Sequence, residues 1–221
     1  MTTLASAPVT TLLERLFNED EASQPLSLPV LAALSPGERE RLMGSKTVYA
    51  AFYGHLKDMP LAVSRSTGSL LYMLARGGGA QTIVEFGTSF GISTIHLAAA
   101  LRDNGGGRLI TTEFEPSKVA RARANLTTAG LADLVEFREG DALETLGADL
   151  PETIDLLLLD GAKALYPEVL SLVEDRLRPG ALIVADNADH SPEYMEKVRW
   201  EGNGYLSVPF AEDVELSMRL S

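Results

Sequence analysis

Thr82–Ser93 reads TIVEFGTSFGIS, and the fold is decided within it. TIVEF is a β-rich run, and Gly87 and Gly91 let the backbone turn tightly and approach a ligand closely. A helical pattern over Ile92–Arg102 follows at once, so the turn offers the free N–H groups of a helix start. Working outward, further β-rich runs lie at Arg108–Phe114 (RLITTEF), Leu134–Arg138 (LVEFR), Ile154–Asp160 (IDLLLLD) and Ala181–Asp186 (ALIVAD). Helical patterns at Ser117–Ala129 and Pro167–Leu177 separate them. Strand and helix alternating at this spacing imply right-handed βαβ units and a parallel sheet. The unbroken LLLL and LIVA suit central strands buried on both faces. After Asp186 come a helix, Pro192–Trp200, and two more runs, Tyr205–Phe210 and Val214–Leu220. The short Ala211-Glu212-Asp213 link makes these two an antiparallel pair.

Upstream, residues 1–79 read as helical. Val9 to Phe17 has apolar residues at helical spacing, and Ser35-Pro36-Gly37-Glu38 fits a capping box. A further helix is expected from Ser64 to Ala75, closed by Gly77-Gly78-Gly79. The expected architecture is α/β: a mostly parallel seven-stranded sheet with an antiparallel C-terminal strand pair. The N-terminal helical extension, 1–79, packs on the same domain as 80–221.

The 221 residues suit one such unit with its extension, and 45% hydrophobic content supplies a core. Acidic residues outnumber basic ones 31 to 19, a formal net charge of −12, which repels phosphate backbones and argues against nucleic acid as partner. Without cysteine there are no disulfides, thiolate zinc sites or cysteine nucleophile, in keeping with a reducing compartment. The N-terminus lacks the basic start and apolar run of a signal peptide, and no stretch approaches a membrane span. A cytoplasmic protein with no membrane partner is expected.

In an open parallel sheet, ligands sit beyond the carboxyl ends of the strands near the switch in strand order. Glu113 ends the second strand, where a carboxylate can accept both hydroxyls of an adenosine ribose; Glu115 competes for that role. Asp141, after the third strand, can meet an adenine amino group or cap a helix. Asp160 follows four leucines, and Asp186-Asn187 follow LIVA. Two carboxylates and an amide suit a hard cation such as Mg2+. Lys163 lies three residues beyond Asp160, close enough to face the same cleft, although lysines are more often solvated.

VEFGTSFGIS, RLITTEFEP, REGDA, LLLLDGAKALY and VADN, in this order, resemble the cation-dependent class I O-methyltransferases, the group that includes catechol and caffeoyl-coenzyme A methyltransferases. The resemblance runs from about Pro60 to the C-terminus. It implies a Rossmann-like class I methyltransferase fold, with 80–221 as the S-adenosylmethionine-binding catalytic domain. By matched position, Val63, Glu85, Gly87, Ser93, Glu113, Asp141 and Asp160 are implied to bind the cofactor. Ser93 would hold its methionine carboxylate, and Val63 would give a backbone contact to the methionine end. Asp160, Asp186 and Asn187 match metal ligands, and Lys163, with Asp160, the catalytic residues. Lys163 would be the general base if the metal's charge and partial burial depress its pKa. The implied chemistry is transfer of the activated methyl group to a small hydroxylated, catechol-like acceptor, with the N-terminal helices covering the site and pairing subunits in a homodimer.

Two departures stand out. Only Ala188–Gly204 separates the Asp-Asn pair from the next strand, shorter than is common in the family, and Gly161-Ala162 are smaller than the family often has. Both suggest an open or differently shaped acceptor pocket. His190 is placed to be a substitute base or extra ligand, but more often such a residue is an exposed loop histidine. His55 and His96 fall in helical stretches and read as structural. Phe52, Tyr53 and Trp200 line a pocket or a subunit contact, or simply pack. Three competing functions remain: metal-independent methylation of nitrogen or another nucleophile, nicotinamide-dependent oxidoreduction, and a scaffold or sensor without turnover. The glycine spacing, which lacks the three-glycine dinucleotide pattern, disfavours oxidoreduction.

Overall fold

A computed structural model describes residues 2–23, 28–211 and 213–221. Glu212, in the link expected between the last two strands, lies outside the described residues, as do Met1 and 24–27 of the N-terminal extension. Seven strands form one sheet: β1 (Thr82–Phe86), β2 (Arg108–Glu113), β3 (Val135–Glu139), β4 (Ile154–Leu159), β5 (Leu177–Ala185), β6 (Tyr205–Phe210) and β7 (Val214–Arg219). Their order is β3-β2-β1-β4-β5-β7-β6. Neighbours from β3 to β5 pair parallel, while β7 runs antiparallel to both β5 and β6. The order therefore reverses between β1 and β4, and a crevice opens beyond their carboxyl ends.

The helices are α1 (Ala7–Ala22), α2 (Pro29–Ala32), α3 (Pro36–Met43), α4 (Tyr49–Gly54), α5 (Arg65–Gly77), α6 (Ile92–Asp103), α7 (Pro116–Thr128), α8 (Ala142–Thr145), α9 (Tyr166–Val173) and α10 (Pro192–Arg199). Alternate residues of each strand face opposite layers. Ile83, Leu109, Leu156, Leu158 and Val184 pack under α1, α5, α6 and α7. Val84, Phe86, Ile110, Leu157, Leu159, Ile183 and Ala185 pack under α8, α9 and α10. Leu16 of α1 and Leu71 of α5 are buried in the same cluster as the sheet residues, so this part of the extension shares the central core.

The segment α2–α4 does so only through Tyr49 and Tyr53, which pack against the layer of α8, α9 and α10. Leu31, Phe52 and Leu56 form a small core of their own, backed by Leu42, Met43 and Leu61. The capping box at Ser35 is present, with the Glu38 backbone N–H donating to Ser35 Oγ and the Ser35 N–H to Glu38 Oε2. Among the described residues no helix is long and apolar enough to cross a membrane.

One boundary departs from the sequence reading. Leu177, expected to end a helix, opens β5 and pairs with Ile154, and the register then shifts before Leu182 meets Leu156. Pro179-Gly180 looks like a helix-to-strand break in sequence. In the fold it is an irregularity inside the strand, flanked by Arg178, whose Nε donates to Asp155 Oδ1 at 2.5 Å.

Candidate functional site

The turn after β1 is held by its neighbours. The Gly87 and Thr88 N–H groups both donate to the Thr112 carbonyl, and the Asp160 N–H donates to the Phe86 carbonyl. Gly87 has φ of +99°, and a Cβ there would stand 2.6 Å from the Asp160 carbonyl oxygen, so only glycine fits. Tight contact at this point brings the ends of β1, β2 and β4 around one cavity of about 420 Å3, within the range of small-ligand sites.

Glu113 and Glu115 are sorted by their partners. Glu115 caps α7, and its carboxylate takes the Ser117 N–H and hydroxyl, leaving it occupied at the rim. Glu113 is almost fully buried on the cavity wall, where Oε2 accepts from the Ser89 N–H at 2.9 Å and Oε1 from the Glu115 N–H at 3.0 Å. Burial pushes its carboxyl up, against these backbone N–H groups and the nearby Lys118. Asp141 takes the capping role that the sequence offered and also lines the cavity. It caps α8 through the Leu143 N–H, and it lines the cavity, where the Tyr49 hydroxyl donates to Oδ2 at 2.7 Å.

Asp160, Asp186, Asn187 and Lys163 also meet in the cavity wall. The carboxyls of Asp160 and Asp186 are in contact. Burial and the Asp160 carboxylate push Asp186 up to about 7, and burial raises Asp160 against the pull of Lys163. Lys163 Nζ donates to Asp160 Oδ1 at 2.9 Å, with both side chains about nine-tenths buried. Asn187, in the left-handed region, donates its amide N–H to Asp213 Oδ2 at 2.9 Å, which leaves its carbonyl oxygen as the uncommitted end.

Lys163, the expected general base, is ion-paired to Asp160. Burial works against its charge, but Tyr166, Asp160, Tyr53 and Asp186 more than offset this, and the ammonium is held well above the usual lysine range. The Asp160 contact raises its pKa, whereas the positive charge of a cation on Asp160 and Asp186 would act in the opposite direction.

Glu85, Ser93 and Val63 lie apart from the large cavity. Glu85 is fully buried beneath the turn and accepts from the hydroxyls of Ser93, Thr94 and Thr111. Val63 and Ser93 line a small recess that shares Leu61, Ala62 and Ser89 with the cavity as common walls.

The pocket expected to be open is covered: Leu31, Met43, Tyr49, Phe52, Tyr53 and Leu56 of the N-terminal segment line the cavity. Nor does Gly161 leave a void. A Cβ there would come within 2.5 Å of the Phe86 ring, which fills the space. His190 lines the cavity with half its side chain exposed. His55 is exposed at the end of α4, and His96 is buried, with Nδ1 on the Ile92 carbonyl and its ring against Phe17. Trp200 is exposed and away from the cavity. Sequence reading missed Tyr49 and Lys118. The signal for Lys118 was present, a cation in the first turn of a helix where the dipole disfavours it; for Tyr49 there was none.

The strand order, the glycine turn and an acidic residue at the tip of β2 define a Rossmann-like methyltransferase. A methyltransferase domain family matches residues 84–188. The chain is similar to the catechol O-methyltransferase of Niastella koreensis, 40% identical over 140 residues, 62% of each chain. It is also similar to a putative O-methyltransferase of Mycolicibacterium smegmatis, 30% identical over 151 residues, 67% of this chain and 71% of that one. Among solved structures it is similar to the O-methyltransferase TomG of Streptomyces achromogenes in complex with S-adenosylmethionine, with TM-score 0.63, 28% identity and coverage of 92% and 99%. The chain belongs to the class I O-methyltransferase family. Its matches span less than two thirds of the length of the first curated relatives, 62% for the Niastella protein.

Proposed function

We propose that this protein transfers the methyl group of S-adenosylmethionine to an oxygen of a small hydroxylated, catechol-like acceptor, with a divalent cation taking part. The observation that carries the reading is the placement of Glu113, Asp160 and Asp186 on the wall of one cavity. Solved relatives bound to the cofactor support the donor, and the relatives named catechol O-methyltransferases support the acceptor class.

The residues fit both groups. Each Glu113 oxygen accepts one backbone N–H, and each can accept a further bond, as a ribose diol requires. Burial first, and then the charge of Asp160, push Asp186 up, and an all-oxygen donor set with Asn187 suits a hard cation. Asp160, Asp186 and Asn187 would hold it. Bound there, a divalent cation lowers the pKa of coordinated hydroxyls. The chain's own part is positioning: Tyr49 keeps Asp141 in place, the aromatic lid excludes water, and Lys163 fixes Asp160 and presents N–H donors.

One observation favours a second reading, metal-independent transfer: the Lys163 ammonium already neutralises Asp160 at 2.9 Å. Methyl transfer from labelled S-adenosylmethionine to a panel of phenols and catechols, with Mg2+ or with a chelator, separates the two. Transfer that stops in chelator and returns with Mg2+ is the expected result. Undiminished transfer in chelator overturns the cation and leaves the methyltransferase, and no transfer to any hydroxylated acceptor overturns the acceptor class.

A further inference from the structure

Lys118 is a buried cation held by one long hydrogen bond and by the Phe90 ring, 5.8 Å from Nζ. It sits in the first turn of α7, where the helix dipole disfavours positive charge, and only 4% of its surface is exposed, which disfavours it again. Burial accordingly pulls its ammonium below the usual lysine range. Its hydrogen bond is a long one, 3.4 Å from Nζ to Ser89 Oγ, and that oxygen already accepts the Leu61 N–H at 3.1 Å. An ammonium carries three donors, so most of its capacity is unused. The side chain lines the cavity together with Ser89, Glu113 and Glu115.

Its relation to Glu113 is informative. The two attract each other by charge, and Ser89 touches both, through its N–H to Glu113 Oε2 and through its hydroxyl to Lys118 Nζ. Yet they do not meet at ion-pair distance, so a gap separates donor from acceptor. A carboxylate can take the proton of a hydroxyl but cannot satisfy its lone pairs; an ammonium does the reverse. A hydroxyl oxygen between the two would be bonded on both sides, and each charged group would gain a partner.

We propose that Lys118 is a second recognition residue for the ribose of the adenosine cofactor, donating to the oxygen of a ribose hydroxyl that itself donates to the Glu113 carboxylate. The inference rests on the cofactor reading above and deepens it. Glu115, Asp160 and Asp58 also contribute field at the ammonium and help keep it charged. The lysine thereby discriminates by hydroxyl, whereas a counter-ion that serves only to balance Glu113 would not.

The test is calorimetric binding of S-adenosylhomocysteine and of its 2′-deoxy and 3′-deoxy analogues to the unaltered protein, Lys118→Met and Lys118→Gln, with unfolding midpoints measured alongside. Lys118→Met is expected to weaken S-adenosylhomocysteine by about tenfold or more, as loss of a charged hydrogen bond does, with the fold intact. For one deoxy analogue the same substitution should cost less than about twofold, since the contact it removes is already missing. Lys118→Gln, which keeps an N–H donor, should recover part of the loss. Equal weakening of all three ligands, or none, overturns the assignment while leaving the cofactor reading in place. Failure of the unaltered protein to bind S-adenosylhomocysteine overturns both.

Discussion

The Tyr49 hydroxyl donates to Asp141 Oδ2 at 2.7 Å across 92 residues of chain, tying the lid helix α4 to the junction of β3 and α8. Burial and the Asp141 carboxylate push the phenol up, so it remains a donor throughout the physiological range. Lys46 makes a second tether, to Glu168 at 2.8 Å and Glu193 at 2.6 Å, but those side chains are substantially exposed and such pairs contribute little.

Tyr49→Phe removes the stronger tether while keeping the ring. Because α2–α4 have their own small core, the loss of about 1 kcal/mol falls on lid closure and not on the sheet. Hydrogen exchange should quicken by several-fold in α2–α4 and stay unchanged in β1, β2 and β4. Unaltered lid exchange would show that the apolar contacts alone hold it shut.

Phe86 and Gly161 are matched in size across adjacent strand ends. Gly161→Ala sets a methyl within 2.5 Å of the Phe86 ring, an overpacking expected to cost about 1–3 kcal/mol. Phe86→Leu alone should also destabilise, by leaving a hole beside Gly161. The double variant should be less destabilised than the sum, a coupling of about 1 kcal/mol or more in urea unfolding. Strict additivity would mean that the ring escapes the clash by a movement unrelated to residue 161.

That pairing also marks how far the sequence could be read. Strand–helix alternation around TIVEFGTSFGIS carried the seven strands and the antiparallel pair, since β-rich runs and a glycine turn are local signals. The positions of Glu113, Asp141, Asp160, Asp186 and Asn187 followed from topology alone, because each ends a strand or follows one directly. What was not legible depends on contacts between distant segments. Gly161 reads as empty space until Phe86 is seen in it, and the pairing of Lys163 with Asp160 at 2.9 Å is seen only in the folded chain. Tyr49 has no sequence signal, since its partner lies on the far side of the crevice. The helix expected to reach Leu177 ends earlier because Leu177 pairs with Ile154 in the sheet.

Glu85 gives the protein a pH dependence of its own. Burial drives its carboxyl up to about 7 from the ordinary 4.5, although three hydroxyls of Ser93, Thr111 and Thr94 pull it back. Below pH 4.5 the group is protonated in both folded and unfolded chains, so it contributes no pH dependence. Between 4.5 and 7 the unfolded chain releases the proton more readily, and stability falls as pH rises. Above 7 both forms are ionised and the cost levels off at about 3 kcal/mol. Glu85→Gln removes the titration while keeping an oxygen for the hydroxyls. The stability of the unaltered protein relative to Glu85→Gln, from urea unfolding, should therefore decline by about 3 kcal/mol from pH 4.5 to pH 7.5. A difference that stays flat over this window would mean that the three hydroxyls keep the buried carboxyl ionised as easily as water does.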